Sequence, residues 1–125
     1  MVRRAWQSVS SHGDLPFELW DEDLRMENMP EFPIQGPYDG HEGLTRWRQD
    51  ISEVIEDLRF DIEEVIDLDE ERVLTVQRAL GRASHTGLEI NVLWASVVTV
   101  REGKIVHAQG YWTPAQAREA VGLRE

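Results

Sequence analysis

Beyond Phe60 the apolar residues stop recurring at three and four and begin to alternate, and the breaks between the alternating runs are only two to four residues long. The runs lie at about 59–67, 72–83, 88–101 and 104–113, separated by Leu68-Asp69-Glu70-Glu71, Ser84-His85-Thr86-Gly87 and Glu102-Gly103. A parallel neighbour needs a crossover of about a dozen residues, so breaks this short force consecutive strands into an antiparallel meander.

The first half reads as helical. Val2, Ala5, Trp6 and Val9 give residues 2–11 one apolar face. His12-Gly13-Asp14 ends that helix, and Asp14 caps a second short one through Leu15, Pro16, Phe17 and Trp20, where an early proline is tolerated. Residues 24–29 are expected to form a short strand with Leu24, Met26 and Asn28 on one side. Residues 30–40 hold three of the five prolines and two glycines, which predicts a loop. Asp39 with Glu42 resembles a capping box opening the longest helix, whose seam is Leu44, Trp47, Ile51, Val54, Ile55 and Leu58. Thr113-Pro114 starts a last short helix over 115–121. Helices first and a meander after define an α+β chain.

Composition narrows the function classes. The 24 acids against 13 Lys plus Arg give a formal net charge of −11, and Lys104 is the only lysine. No basic patch is available to displace counterions from nucleic acid, and the same field repels an anionic membrane. No window approaches the roughly 18 apolar residues of a membrane span. With no cysteine there is neither a disulfide framework nor a thiolate metal site. One domain over 1–125 and a cytoplasmic location are the expectations, with no cofactor and no metal.

Familiar motifs fail on inspection. His41-Glu42 begins like a zincin helix, but Thr45 stands where the second histidine belongs. Asp67, Asp69 and Glu71 have calcium-loop spacing, yet Arg72 replaces the turn glycine and Arg78 the bidentate acid. Gly36, Gly40 and Gly43 follow no strand in the dinucleotide pattern. Ser84-His85 lies in a turn with no partnered acid.

The order of elements, together with a set of short motifs, resembles the SnoaL-like polyketide cyclase and ketosteroid isomerase superfamily. The motifs are Arg3-Arg4-Ala5-Trp6, Gly13-Asp14-Leu15, Tyr38-Asp39-Gly40-His41-Glu42-Gly43, Glu71-Arg72-Val73-Leu74, Gly81-Arg82, Thr86-Gly87, Gly103-Lys104-Ile105-Val106 and the close from Ala120 to Leu123. The resemblance implies the nuclear-transport-factor-2-like cone: a curved four- to five-stranded, mostly antiparallel sheet wrapped around three N-terminal helices, with a central pocket. It also implies a homodimer through the outer sheet face, and chemistries among isomerisation, cyclisation, dehydration and epoxide hydrolysis. Carried over residue by residue, the oxyanion-binding tyrosine of the isomerases falls near Trp6. Their general-base aspartate falls on Asn28 and their second acid near Ser96. The key aspartate of the cyclases falls near Gly110. The expected carboxylates are absent, and fold alone does not transfer function.

Alternation assigns the pocket wall. Ile90, Val92, Trp94, Ser96, Val98 and Val100 share one face of their strand, and Val106, Ala108, Gly110 and Trp112 one face of the next. On the strand before, the apolar side is Leu74, Val76 and Leu80, which carries Arg78 inward unless a bulge reverses it. Buried, Arg78 would need a ligand carboxylate or an ion pair with Asp61, Glu63 or Glu64. The predicted ligand-binding set is Trp6, Trp20, Met26, Asn28, Trp47, Phe60, Arg78, Trp94, Ser96 and Trp112, an aromatic wall with few polar groups. The same tryptophans could equally fill a core, since each buries roughly 150–250 Å². Asn28 can donate and accept but takes up no proton at neutral pH, so it orients rather than abstracts.

Three readings follow. The first is a small-molecule-binding domain for an apolar ligand, without strong acid–base chemistry. The second is an enzyme on a cyclic or polyketide-like substrate, using His107, Asp61 or Glu64 if strand parity shifts by one. The third is a structural dimer whose hollow is filled by tryptophan.

Overall fold

The breaks between the alternating runs act as anticipated. β3 (Ile55–Asp67), β4 (Arg72–Ala83), β5 (Glu89–Arg101) and β6 (Lys104–Tyr111) pair antiparallel in chain order. Glu102 and Gly103 both take positive φ, 51° and 76°, as a two-residue type I′ hairpin turn requires. The structure is a computed structural model and describes residues 5–6, 17–34 and 36–122.

The sheet is larger than the meander. β1 (Trp20–Glu27) runs parallel to β6, and β2 (Tyr38–Asp39) pairs antiparallel with β1 at Arg25 and Met26. The result is an open, mixed six-stranded sheet in the order β2-β1-β6-β5-β4-β3. Besides the helical pair Ala5 and Trp6, the described residues include α1 (Gly40–Val54) and α2 (Pro114–Ala120), with a 3₁₀ turn at Phe17–Leu19. The expectation of four to five strands around three N-terminal helices is corrected accordingly. Of residues 2–11 only Ala5 and Trp6 are described, and both are helical. Leu15 and Pro16 lie outside the described residues. Trp20 opens β1 rather than closing a helix, because its strand finds a ladder partner at Ile105 that sequence periodicity cannot reveal.

Two further corrections concern α1. Asp39 is its N-cap residue, but makes no side-chain cap; its carboxylate accepts from Arg25 Nε at 3.2 Å instead. The apolar seam changes element after Val54. Asp57 takes a φ of 54° and the β3–β4 register slips between Glu56 and Arg59, so this bulge brings Ile55, Leu58 and Phe60 all to the inner face. α2 begins as the sequence directs: Thr113 Oγ1 accepts from Gln116 N at 3.1 Å and Pro114 occupies the first turn.

Both sheet faces are covered. The inner one packs Leu24, Met26, Ala79, Val98, Ile105 and Ala108 against Leu44, Trp47 and Ile51 of α1. The outer one packs Leu74, Val76 and Ala95 against Ala117 of α2. Tyr38 ties the edge strand to α1, donating to Asp50 Oδ2 at 2.7 Å with the Arg46 guanidinium 4.9 Å from its ring. Burial, then the bond to Asp50, pushes its hydroxyl up to about 12.

Candidate functional site

A cavity opens between the inner face of the sheet, the start of α1's apolar stripe and the loop after β1. It holds about 420 Å³ of empty space with its mouth included. Its interior is narrow, with a cavity volume of about 40 Å³. Trp6, Trp47, Phe60, Trp94 and Phe32 supply rings, with Met26, Met29, Ala108 and Gly110 between them. Four of these rings form a chain of contacts, with centroids 5.9 Å apart for Trp6–Phe60, 6.3 Å for Phe60–Trp94 and 5.5 Å for Phe32–Trp94.

Of the ten residues expected to bind a ligand, Trp6, Met26, Asn28, Trp47, Phe60, Trp94 and Ser96 border this cavity. Trp20 does not. It is fully buried one layer behind, edge-on to Trp6 at 5.7 Å. Trp112 stands at the rim, 36% exposed, against Phe32 and Trp94, its indole N–H donating to the Pro30 carbonyl at 2.9 Å. Arg78 points the other way, with Nε 2.7 Å from Glu63 Oε2 and Nη1 2.7 Å from Asn91 Oδ1.

The placement of Arg78 corrects the parity of all of β4. Apolar content misleads on this strand because α2 makes the outer face a core as well, and it is this face that takes Leu74 and Val76. Thr75 and Gln77 turn inward, opposite Ser96 and Trp94. Val106 is corrected too. A slip between Thr99 and Val100 pairs Ile105 with Val100, so Ile105 takes the buried place.

The polar groups of the wall are few and mostly occupied. Asn28 Oδ1 accepts the Trp47 indole N–H at 3.0 Å, and its Nδ2 donates to the Ile34 carbonyl at 3.0 Å. It therefore fixes an aromatic wall and the loop that carries Phe32. Ser96, Thr75 and Gln77 are hydrogen-bonded in a row, all nearly inaccessible to solvent. Thr75, Gln77, Met29 and Phe32 were not among the candidates. The first two could have been found by placing β4 opposite Ser96 and Trp94 across the four-residue turn. Phe32 signals itself only as an aromatic residue in a proline-rich loop.

The expected catalytic candidates lie elsewhere. Asp61 and Glu64 are exposed on β3, Glu64 3.5 Å from Arg118. His107 Nε2 donates to Glu27 Oε2 at 2.7 Å, both side chains more than a third exposed. Glu27 is the one ionisable residue among the described ones that border the cavity. Leu24, Met26 and Asn28 alternate inward, so Glu27 and Arg25 alternate outward, and the carboxylate meets His107 on the other face. The Glu27 main chain reaches the cavity wall, its carbonyl lying 3.6 Å from where a Cβ on Gly110 would stand.

The chain is thus an α+β protein with an open, mixed six-stranded sheet and an aromatic hollow on its inner face, and its relatives assign the family. The SnoaL-like domain profile matches residues 4–108, so the chain belongs to the SnoaL-like domain family. No curated protein is similar enough to match. Among solved structures, a protein with a ketosteroid isomerase-like fold from Catenulispora acidiphila DSM 44928, in complex with trimethylamine, is 18% identical. The match covers 97% of this chain and 92% of that one, with a TM-score of 0.73. An NTF2-like protein from Burkholderia xenovorans LB400 is 29% identical over 80% of this chain and 78% of that one, with a TM-score of 0.64. Another from Burkholderia thailandensis E264 is 22% identical over 86% and 82%, with a TM-score of 0.69.

Proposed function

We propose that this protein binds a small, neutral, largely apolar molecule in the aromatic cavity and performs no acid–base chemistry on it. The observation that carries this reading is the chemistry of the wall: among the described lining residues no side chain that ionises faces the hollow. General acid–base catalysis needs a titratable group within hydrogen-bond reach of the reacting atom, and neither Asn28 nor Ser96 can serve at neutral pH. The narrow interior favours a ligand of few heavy atoms. The complex of the Catenulispora relative with trimethylamine supports a small occupant. The homodimer implied by the resemblance belongs to the same reading, supported by Leu80 and Leu93, which stay half-buried on the outer face.

The test is intrinsic tryptophan fluorescence against a panel running from cyclic ketones and monoterpenoids to steroids. The expected result is a saturable shift with small members. A Cβ on Gly110 meets Met29 N at 3.5 Å, an ordinary contact, so Gly110→Leu should fold while its remaining carbons fill the cavity and abolish the shift. Glu27→Gln should bind as the parent does. A panel that leaves the emission unchanged, or equal binding by Gly110→Leu, would refute the reading. Turnover of a panel member that depends on Glu27 or His107 would transfer the protein to the enzymes.

A further inference from the structure

Three polar side chains are buried in an otherwise apolar wall: Thr75 is 0% exposed, Ser96 1% and Gln77 4%. Buried polar groups in such surroundings are costly unless paired, and here the pairing has one direction. Thr75 donates its single hydroxyl proton to Gln77 Oε1 at 2.8 Å. The Ser96 hydroxyl, hydrogen-bonded to Thr75 Oγ1, must then be the donor in that contact. The row ends on the carbonyl end of the Gln77 amide. Its nitrogen keeps two protons and has no acceptor among the described residues, yet it is not sealed off as the Trp6 indole nitrogen is. Gln77 borders the cavity, so this amide opens into the free space. Packing alone does not call for it, because a methionine would fill the same volume without bringing in donors. Thr75 and Ser96 could satisfy each other without it.

Resting on the binding reading above, we infer that Gln77 sets the specificity of the cavity, donating from its side-chain N–H to a carbonyl oxygen on a neutral ligand. Trp94 is its partner across the ladder, with Phe60 6.3 Å from Trp94, so the ligand's apolar body lies against these rings while its oxygen meets the amide. Thr75 and Ser96 are positioning residues: by occupying Oε1 they turn the nitrogen toward the ligand. No charged side chain among the described residues of the wall would meet an ionised ligand, which restricts the class to uncharged ketones, aldehydes and lactones.

The test compares cyclohexanone with methylenecyclohexane, a pair matched in shape that differs in the acceptor oxygen. Affinities are read by tryptophan fluorescence, together with the side-chain amide ¹H–¹⁵N signal of Gln77. The parent protein should bind the ketone about tenfold more tightly than the hydrocarbon, with the Gln77 signal shifting only for the ketone. Gln77→Met should lower ketone affinity to the hydrocarbon's and leave the hydrocarbon unaffected. Gln77→Glu, which keeps an oxygen for Thr75 but turns another toward the ligand, should reverse the preference. Thermal unfolding checks that both variants fold. Equal affinities in the parent, or an equal loss of both probes in Gln77→Met, would overturn the inference while leaving the binding reading intact. If neither probe binds and the wider panel also fails, both fall together.

Discussion

Asn28 stands where β1 passes into the loop over the cavity, and both ends of its amide are engaged. It receives Trp47 Nε1–H and donates to the Ile34 carbonyl, each at 3.0 Å. Asn28→Leu keeps the bulk and removes both partners. An unsatisfied buried donor or acceptor costs ~1–3 kcal/mol. These groups are partly rather than fully buried, so about 1–1.5 kcal/mol, the low end of that range, applies to each, for a total of about 2–3 kcal/mol. For a domain of this size a loss of 1 kcal/mol lowers Tm by roughly 3–5 °C, so the variant should melt about 6–15 °C lower. Asn28→Asp separates the two bonds, because it retains an acceptor for Trp47 but sets an oxygen against the Ile34 carbonyl. Urea unfolding gives the free energies and near-UV circular dichroism reports whether Trp47 keeps its orientation. The Leu variant should lose part of the aromatic signal and the Asp variant should retain it. A Leu variant within about 0.5 kcal/mol of the parent, with its aromatic spectrum unchanged, would refute the claim that Asn28 builds the wall.

Two other outcomes are expected. The Tyr38 hydroxyl is pushed up to about 12, so the native state holds its proton more tightly than the unfolded chain does. That stability is fully present below about pH 10 and is lost as pH rises through about 12. Tyr38→Phe should cost ~1 kcal/mol at neutral pH through the lost bond to Asp50, and the gap to the parent should close across that alkaline window. A gap independent of pH in urea titrations would contradict this. Sedimentation at micromolar concentration should show a dimer that Leu80→Arg dissociates; a monomeric parent would remove the homodimer.

The meander was legible because turn length and period act locally. Gaps of two to four residues leave only antiparallel pairing, and β4 begins and ends at the residues the alternation predicts. The parallel pairing of β1 with β6 was not legible, since Trp20 and Ile105 meet across 85 residues and nothing local marks either as a partner. The site is legible where one face of a strand is the more apolar. Trp94 and Ser96 are legible as inward-facing because the other side of β5 is plainly more polar. On β4 both faces are cores, so hydrophobicity carries no sign there. Bulges account for the remainder: at Asp57 and at Val106 one extra residue exchanges inside for outside, which alternation cannot anticipate.

The same parity that hides Gln77 explains why, in a chain with 24 acids, Glu27 is the one acid among the described residues that border the hollow. Every described ion pair, from Arg25–Asp39 to Arg118–Glu64, lies where solvent reaches it. Such pairs contribute little to stability, but they keep carboxylates on the outer side of strands whose inner side carries amides, hydroxyls and rings. Moving Glu27 inward would require a one-residue slip of β1, and that slip would expose Leu24 and Met26, which are 0% and 2% accessible. Burying a Leu or Met side chain is worth ~1.5–3 kcal/mol, so such a slip would cost about 3–6 kcal/mol, a large part of a domain's net stability. The packing of β1 therefore keeps the Glu27 carboxylate on the outer face, and the polar groups that the described wall offers are amides and hydroxyls.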